Sequence, residues 1–428
     1  MTRELAHDYG ATAAMPLAGS ACQDHISGQG GAVVVGGVHD RMWALRALSY
    51  PVYSRVEFFL DLSKRGLPRM YADGGFVHTV RAVDPPSRTT MRREGDSLRY
   101  TTKCALGLAC VDPETQRRVL DGQTAADLAL STVARAESVT DDPGAVALAA
   151  WSAAETADHY ARRLFEKLET VLTSGEPVDT VDCAWTLIAA LAALRLADTG
   201  TLAERARNLL LAGQGASGLF PHMLPASSMG RLRAHVGSFA DQVYAIQGLA
   251  RYSVAIGDPA ALDAADACGA RICALQGPAG QWWWHYDAHH GSVVEGYPVY
   301  SVHQHGMGPM ALLDLREAGG RDHMRQVIRG LEWIDRHPEV SDSMVDEKEN
   351  VIWRKVGRRE PKKAVRAISA LTTAAHPGMK LPGLDTLFPP NRLDYECRPY
   401  ELGWLLYAWL GGGRVRQLRP DAIGNVAQ

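Results

Sequence analysis

The fold of this chain is decided by a pattern that occurs twice, as Leu209-Leu-Leu-Ala-Gly-Gln214-Gly-Ala-Ser-Gly218-Leu-Phe220 and as Ile272-Cys-Ala-Leu-Gln276-Gly-Pro-Ala-Gly280-Gln-Trp282. Both segments read Gln-x-x-x-Gly-x-aromatic, and their glutamines lie 276 − 214 = 62 residues apart. Glycine permits the left-handed backbone that ends a helix, and the ring two residues later can pack over that helix end. This separation accommodates two helices with their turns, so the pattern predicts repeated helical hairpins.

Runs rich in Ala and Leu continue the helical pattern on both sides of these turns, and Gly and Pro separate the runs, as expected at helix ends. We therefore predict an all-α chain folded as an (α/α) toroid of repeated helical hairpins, with a loop-rich N-terminal segment. The predicted helices beyond residue 123 are Thr124–Val133, Glu155–Leu172, Asp182–Ala197, Leu202–Leu211, Phe239–Ile256, Ala260–Leu275, Met307–Glu317, Met324–Arg336, Lys363–Ala374 and Glu401–Trp409.

The pattern also divides the chain into three parts. Residues 1–27 show no sustained period and are predicted to be a poorly ordered tail. Residues 28–410 are predicted to form a single toroid domain whose first part, residues 28–125, is less regular. The stretch 71–100 within that part is rich in Gly, Pro and Arg and indicates loops, with short strands as an alternative. Residues 411–428 are predicted to be a C-terminal tail.

Composition excludes several classes of partner. The 45 basic and 48 acidic side chains leave a formal net charge of −3, so no basic field attracts nucleic acid. No run of about 18 apolar residues predicts a membrane span. The stretch Gly28–Gly37 has no G-x-G-x-x-G register, and no cofactor is predicted. The seven cysteines lack C-x-x-C spacing, which indicates free thiols in a reducing compartment and hence a cytoplasmic protein.

The densest group of aromatic and titratable residues runs from residue 282 to residue 305 and has little aliphatic content. Indole faces pack well against sugar rings, and carboxylate, Tyr and His side chains transfer protons near neutral pH. His303 and His305 have no obvious third ligand nearby, so no metal site is predicted. In this segment we predict catalytic roles for Glu295, Tyr297 and His303, and substrate-binding roles for Trp282, Trp284, His285, Tyr300 and His305.

Further candidates lie at predicted helix starts and turns. Asp241, predicted to be catalytic, and Asp182, predicted to bind substrate, each stand at a helix N-terminus, where N-capping is the alternative interpretation. His222 follows the first repeated turn much as His285 follows the second, so both are predicted to face one rim. Near the last helix, Glu396 and Arg398 could act as an acid or base and as a carboxylate clamp, or simply form a charged helix N-terminus. Arg354 is a further predicted anion contact.

Two sets of motifs resemble known families. Gln-x-x-x-Gly-x-Trp is similar to the repeated turn of squalene and terpene cyclases. The stretch Phe239–Tyr252, followed by Gly257-Asp-Pro and another Ala-rich helix, resembles the hairpins of unsaturated glucuronyl hydrolases, acylglucosamine epimerases and the C-terminal domain of glucuronyl C5-epimerases. The segment Glu295-Gly-Tyr297-Pro-Val-Tyr300 before residues 306–315 is similar to the last of these. The resemblance covers roughly residues 150–410 and includes no diagnostic catalytic signature.

The resemblance implies a carbohydrate-active enzyme, a hydrolase, lyase or epimerase, that acts on an acidic or N-substituted sugar in a central cleft. Its carboxylate pair would join Asp241 or Asp182 to Glu295 or Glu396. A terpene or prenyl cyclase-like enzyme is the first alternative, although the Asp-x-Asp-Asp acid of such cyclases is missing from the sequence. A non-catalytic glycan-binding protein is the second. A small molecule or an oligosaccharide is the expected partner, and the sequence does not determine the oligomeric state.

Overall fold

The computed structural model describes residues 38–83, 90–361 and 364–420. The predicted tail at residues 1–27, the stretch Gly28–Gly37 and residues 421–428 lie outside these ranges. The helices are α1 Val38–Leu48, α2 Tyr50–Gly66, α3 Leu98–Leu108, α4 Pro113–Val119, α5 Ala125–Val139, α6 Pro143–Ala157, α7 Arg162–Thr173, α8 Thr180–Ala193, α9 Gly200–Gly213, α10 Phe239–Ile256, α11 Pro259–Ala274, α12 Gly308–Glu317, α13 Met324–Arg336, α14 Ala364–Ala375, α15 Leu384–Leu387, α16 Pro399–Leu410 and α17 Arg414–Gln417.

Short strands join the helices in small sheets. The antiparallel three-stranded sheets have the orders β10-β13-β14, β15-β3-β4 and β7-β8-β9, and the two-stranded ones are β1-β2, β5-β6 and β11-β12. The strands are β1 Tyr71–Ala72, β2 Gly75–Phe76, β3 Thr79–Val83, β4 Thr90–Glu94, β5 Val178–Asp179, β6 Met223–Leu224, β7 Val236–Ser238, β8 His285–Asp287, β9 Val293–Glu295, β10 Val299–Tyr300, β11 Val345–Asp346, β12 Val351–Ile352, β13 Lys355–Gly357, β14 Arg392–Asp394 and β15 Glu396–Cys397.

Six helices form a closed inner ring. In the order α3, α6, α8, α10, α12 and α16 each helix packs against the next, and α16 returns to α3. The outer helices α2, α5, α7, α9, α11 and α13 alternate with them along the chain and pack on the outside of the ring. This arrangement of six hairpins is the predicted (α/α) toroid.

The inner and outer helices differ in how many of their residues are buried. The inner helix α10 buries 15 of its 18 residues, so it is covered around most of its circumference. The outer helix α7 buries only Leu164, Phe165, Leu168 and Leu172, which recur at three- and four-residue steps and form one stripe. An element covered on all sides must be apolar or must pair its polar groups, as Gln247 and Arg251 of α10 do, whereas an outer helix needs only one apolar stripe. The difference places the core between the two rings.

The repeated turns use identical contacts, which confirms the repeat. Nε2 of Gln214 donates to the carbonyl oxygens of Gly218 (2.8 Å) and Ala264 (2.9 Å). Nε2 of Gln276 donates in the same way to the carbonyls four and 50 residues later, both at 2.9 Å. Gly218 and Gly280 have φ values of +85° and +102°, a conformation in which L side chains are strained. The glutamine therefore ties its own turn to the next outer helix.

A charged network fills the end of the ring at which the inner helices terminate. Asp314 of α12 accepts hydrogen bonds from Arg41 (2.6 Å), Arg251 (2.8 Å) and Gln247 (3.0 Å). Arg251 Nη2 also donates to the hydroxyl of Tyr407 at 2.8 Å. Burial opposes ionisation of Asp314, but the two guanidinium groups hold its pKa below the ordinary value. The network closes this end, so a ligand must enter at the other end.

The ring closes where the first and last inner helices meet. A Cβ added at Gly107 of α3 would fall inside contact distance of the carbonyl oxygen of Gly403 in α16. A side chain there would force the two backbones apart, so glycine sets how closely they approach. At the opposite end of the same two helices, Nη1 of Arg398 donates to the hydroxyl of Tyr100 at 2.6 Å.

Several predicted bounds differ from the structure. The predicted helix Glu155–Leu172 is broken into α6 and α7, because Asp158 takes a left-handed conformation with φ +50° and ends α6. The predicted less regular part, residues 28–125, holds α1 to α4 and four strands. The domain boundaries stay predictions. Among the described helices, none combines the length and the apolar composition needed to cross a bilayer.

Candidate active site

A cavity of about 440 Å³ opens where the inner helices begin. First- and second-turn residues of α3, α8, α10 and α16 line it, together with the π-helical turn His303–Met307 that precedes α12. Loops between the hairpins complete the wall. Seven of the predicted site residues lie here: Asp182, His222, Trp284, Tyr300, His303, Arg354 and Arg398.

Two aspartates occupy the same place in successive repeats. Asp182 is the third residue of α8 and Asp241 is the third residue of α10. Asp241 forms a capping box with Ser238, whose backbone N–H and hydroxyl donate to Oδ2 at 2.6 and 2.8 Å. Asp182 accepts no such cap hydrogen bond from Asp179, the residue before α8. Its carboxylate is therefore free of the structural role that Asp241 performs.

Asp182 is a buried carboxyl group with a raised pKa. It is only 5% exposed, and burial raises its pKa to about 6, although Arg99 lies 3.5 Å away and opposes the shift. Arg99 is shared with Asp142, to which it makes a two-point contact. Burial, with repulsion from Asp179 and Asp142, outweighs the attraction of Arg99, so Asp182 keeps an affinity for protons near neutral pH.

His222 and Asp241 form a hydrogen-bonded pair at the cavity wall. Nδ1 of His222 lies 3.1 Å from Oδ2 of Asp241, and its Nε2 lies 3.6 Å from Asp179. The hydrogen bond to Asp241 raises the pKa of His222 to about 8. Burial raises the pKa of Asp241, while the donors His222 and Ser238 oppose this shift. The imidazole is thus protonated at neutral pH and is oriented by a carboxylate behind it.

Cationic and aromatic groups lie beside each other in the cavity wall. The guanidinium of Arg354 lies 4.8 Å from the centre of the Tyr300 ring. The rings of Trp284 and His303 are parallel within 5°, with centroids 6.1 Å apart. Within the described ranges, Nε1 of Trp284 and Nδ1 of His303 are buried without a hydrogen-bond partner. They can bond a polar ligand that enters the cavity.

Glu396 lies behind the cavity and is held by three arginines. Arg398 Nε lies 3.3 Å from its carboxylate, Arg354 lies 3.7 Å away, and Arg81 bonds its other oxygen. These positive charges lower its pKa despite burial. Glu396 is therefore a fixed anion that positions Arg354 and Arg398, which line the cavity themselves.

Glu295 and Tyr297 line a second cavity, of about 340 Å³, together with Arg358 and Trp283. Glu295 accepts from Arg358 (3.3 Å) and from Ser369 (3.0 Å). The Tyr297 hydroxyl donates to Glu339, in the loop after α13, at 2.9 Å. The structure does not bring these two residues together with Asp182 or His222.

Three more predicted residues pack in the protein interior. Trp282 is fully buried and stacks on Phe239 with centroids 5.7 Å apart. His305 is fully buried in the π-helical turn, where burial lowers its pKa to about 3. His285 on β8 is also buried, which lowers its pKa well below the ordinary value. The repeat register pairs His222 with Trp284, since 284 − 222 = 62, and not with His285.

Sequence reasoning missed half of the polar and aromatic lining. Arg99 and Lys103 stand four residues apart on α3, a spacing that places them on one helix face. That spacing was the available signal, but it lay at the edge of a stretch predicted to be loops. The missed polar and aromatic lining residues are Arg99, Tyr100, Lys103, Asp179, Trp185, Ser238, Tyr244 and Tyr400.

Comparison with known proteins gives matches in structure alone, because no family model and no curated protein sequence matches the chain. One similar structure is an unsaturated glucuronyl hydrolase specific for heparin, with 11% identity, 83% of this chain and 95% of that chain covered, and a TM-score of 0.52. Another is a UGL variant recorded with dGlcA-Glc-Rha-Glc, with 12% identity, coverage of 85% and 96%, and a TM-score of 0.50.

These likenesses establish the fold and confirm the resemblance inferred from the helical hairpins. Their identities of 11% and 12% are too low to carry an activity over to this chain. The described chain is an α/α toroid similar to those of the unsaturated glucuronyl hydrolases, with its polar cavity at the helix N-termini.

Proposed function

We propose that this chain is a carbohydrate-active enzyme that binds an acidic sugar in the central cavity and acts on it by proton transfer. One observation carries the proposal. The cavity holds three guanidinium groups, from Arg99, Arg354 and Arg398, beside two groups that titrate near neutral pH, Asp182 and His222.

The arginines support an anionic substrate. Guanidinium groups bind carboxylates through two parallel hydrogen bonds, a geometry that lysine cannot provide. Arg354 and Arg398 reach the cavity from different loops and are oriented from behind by Glu396. The indole of Trp284 and the ring of Tyr300 offer flat faces against which a sugar ring can pack.

Asp182 and His222 support acid–base chemistry. With pKa values of about 6 and about 8, Asp182 is mostly ionised and His222 mostly protonated at pH 7. We assign Asp182 as the general base and the His222 imidazolium, oriented by Asp241, as the general acid. Hydrolysis, elimination and epimerisation can all use such a pair.

This assignment changes the carboxylate pair expected from sequence. Glu295 belongs to the second cavity, and Glu396 is neutralised by arginines, so neither supports a role in proton transfer. Asp241 supports catalysis through His222 instead of touching the substrate. His303 keeps a substrate-binding role because burial lowers its pKa to about 3, which removes it as a base near neutral pH.

The lining also weighs against the cyclase alternative. A cavity for a prenyl chain needs aliphatic and aromatic walls, whereas this one carries Arg, Lys, Asp and His side chains. A glycan-binding protein without catalysis needs no pair of groups that titrate near neutral pH. Because the raised pKa values of Asp182 and His222 provide such a pair, catalysis explains the cavity better than binding alone.

The test is a thermal-shift screen of the full chain with acidic oligosaccharides, neutral oligosaccharides and prenyl diphosphates, followed by product analysis of each hit. A ligand at about 100 times its Kd stabilises by roughly 2.7 kcal/mol, which is readily measured. We expect acidic sugars to stabilise and to be turned over, and Asp182→Asn to bind but lose turnover.

The control variant is Glu295→Gln in the second cavity, which should retain turnover. Loss of turnover in Glu295→Gln alone would move the chemistry to that cavity. Stabilisation by prenyl diphosphates alone would replace the proposal with a cyclase, and binding without any product would replace it with a glycan-binding protein.

A further inference from the structure

Lys103 occupies an unusual position at the base of the cavity. It lies on α3, is 6% exposed, and lines the cavity through its side chain. Five aromatic rings surround its Nζ within 6.0 Å of their centroids: Trp185 at 4.5 Å, Tyr400 at 4.9 Å, Tyr100 at 5.8 Å, Trp404 at 5.9 Å and Tyr244 at 6.0 Å.

No anion neutralises this ammonium group. In the portion of the chain that the structure describes, no carboxylate or carbonyl oxygen lies within hydrogen-bond or ion-pair distance of Nζ. Arg99 stands one turn earlier on the same face, and both cations flank the Trp185 ring. The other titratable groups that act on it are Asp182, Asp142 and the buried thiol Cys104.

Burial and the neighbouring Arg99 favour the neutral amine, against the attraction that the aromatic ring faces exert on an ammonium group. Burial lowers the pKa of Lys103 to about 7, and repulsion by Arg99 adds to the effect, while Asp182, Cys104 and Asp142 oppose it. At pH 7 an ordinary lysine is neutral in roughly one molecule in 3,000, whereas Lys103 is neutral in about half. An apolar pocket with a second cation beside it is the environment that activates lysine as a nucleophile.

We propose that Nζ of Lys103 condenses with the open-chain carbonyl group of a reducing sugar in the cavity to form an imine. The proposal rests on the proposed sugar-binding function of the same cavity. It assigns Lys103 as a nucleophile, a role beyond the proton transfer given to Asp182 and His222.

The step balances without any further reactant. The nitrogen lone pair attacks the carbonyl carbon, a C–N bond forms, and the carbonyl oxygen takes up a proton to give a carbinolamine. The C–O bond then breaks, and the oxygen leaves as water with the two amine hydrogens, so that amine and carbonyl become imine and water. His222 can protonate the departing hydroxyl group, since its imidazole is charged at neutral pH.

An imine at Lys103 would favour one of the three reaction classes, hydrolysis, elimination and epimerisation, over the others. When protonated, it withdraws electrons from the adjacent carbon and acidifies its C–H bond. Asp182 can then remove that proton, and return of the proton from the other face inverts the carbon. Epimerisation or isomerisation next to the carbonyl group is therefore favoured over glycoside hydrolysis.

The experiment is reductive trapping on the intact chain. The protein is incubated with glucuronic acid and cyanoborohydride across a pH series, and modified lysines are found by peptide mass spectrometry. Lys103 should be labelled at least about tenfold faster than Lys355 at pH 7, because Lys355 is ion-paired with Asp394 at 2.8 Å. Its labelling should be half-maximal near pH 7 and should be suppressed by methyl glucuronide, which has no free carbonyl group.

Two outcomes would overturn the proposal: labelling of Lys103 no faster than Lys355, or labelling that methyl glucuronide leaves unchanged. A parallel reaction with formaldehyde measures the reactivity of the Lys103 amine without requiring sugar binding. If formaldehyde modifies Lys103 and glucuronic acid does not, the sugar imine is excluded while amine reactivity stands. The proposed function is judged separately, by turnover of acidic sugars in wild type and in Asp182→Asn, so the two failures are distinguishable.

Discussion

Replacing Asp182 by Asn should stabilise the protein at pH 8 while it removes activity. The folded-state pKa of Asp182 is about 6, against an ordinary value of 3.8. The difference of about 2.2, at about 1.4 kcal/mol per unit, amounts to about 3 kcal/mol. Because the folded state binds this proton more tightly than the unfolded state, wild-type stability falls as the pH rises from about 4 to about 6 and stays lower above that.

The asparagine variant has no proton to lose at this position. Its free energy of unfolding, relative to that of wild type, should therefore rise by about 3 kcal/mol between about pH 4 and about pH 8. Equilibrium urea unfolding followed by tryptophan fluorescence measures this difference at each pH. A difference that stays flat across the range would refute the burial argument and, with it, the assignment of Asp182 as a titrating group.

Asp142→Asn is the matched control, because both carboxylates contact Arg99. The pKa of Asp142 is lowered by Arg99 despite burial, so its ionisation stabilises the folded state. The stability of Asp142→Asn relative to wild type should accordingly fall as the pH rises to about 4 and then stay level. A rise between about pH 4 and about pH 8 in both variants would contradict the reasoning.

Three further predictions follow from the described contacts. Asp314→Asn removes the carboxylate that Arg41 and Arg251 share, which leaves each with one carboxylate, Glu317 or Glu155, and should cost about 1.5–3 kcal/mol in urea unfolding, whereas Asp335→Asn, in an exposed pair, should cost about 0–1 kcal/mol. Gln276→Ala and Gln214→Ala each remove two equivalent hydrogen bonds and should lower the free energy of unfolding by similar amounts, about 1–3 kcal/mol; widely different costs would contradict the structural repeat. The rate should fall above about pH 8 as His222 loses its proton, and a pH–rate profile of His222→Gln should lack that limb.

The fold could be predicted because it depends on local rules. The turns at Gln214 and Gln276 carry their own signals, a glycine in the left-handed conformation and an aromatic ring that packs over the helix end. The hairpins repeat the same kind of turn, so the two copies of this turn in the sequence indicated a closed ring of hairpins. The break at Asp158 was missed because an aspartate in the left-handed conformation leaves little trace in composition.

The sequence predicted which segment reaches the site, but not which residues of that segment line the cavity. The stretch from residue 282 to residue 305 does reach the cavity, through Trp284, Tyr300 and His303. Which residues face inward depends on the phase of each short strand, since a shift of one residue reverses every side chain. His285 therefore points into the interior next to Trp284, which lines the cavity. Partners such as Arg99 come from a hairpin far away in sequence, and only the ring brings them close.

The closure of α16 onto α3 also sets when during synthesis the cavity can exist. Tyr100 and Arg398, joined by a hydrogen bond across that closure, are 298 residues apart in the chain. At about 5–20 residues per second, a ribosome needs roughly 15 to 60 s to make the second after the first. Throughout that interval the face of α3 that packs on α16 has no partner, although α5 and α6 can already cover the rest of the helix. Any stall before Pro399 yields a molecule with a nearly full set of hairpins and an incomplete site.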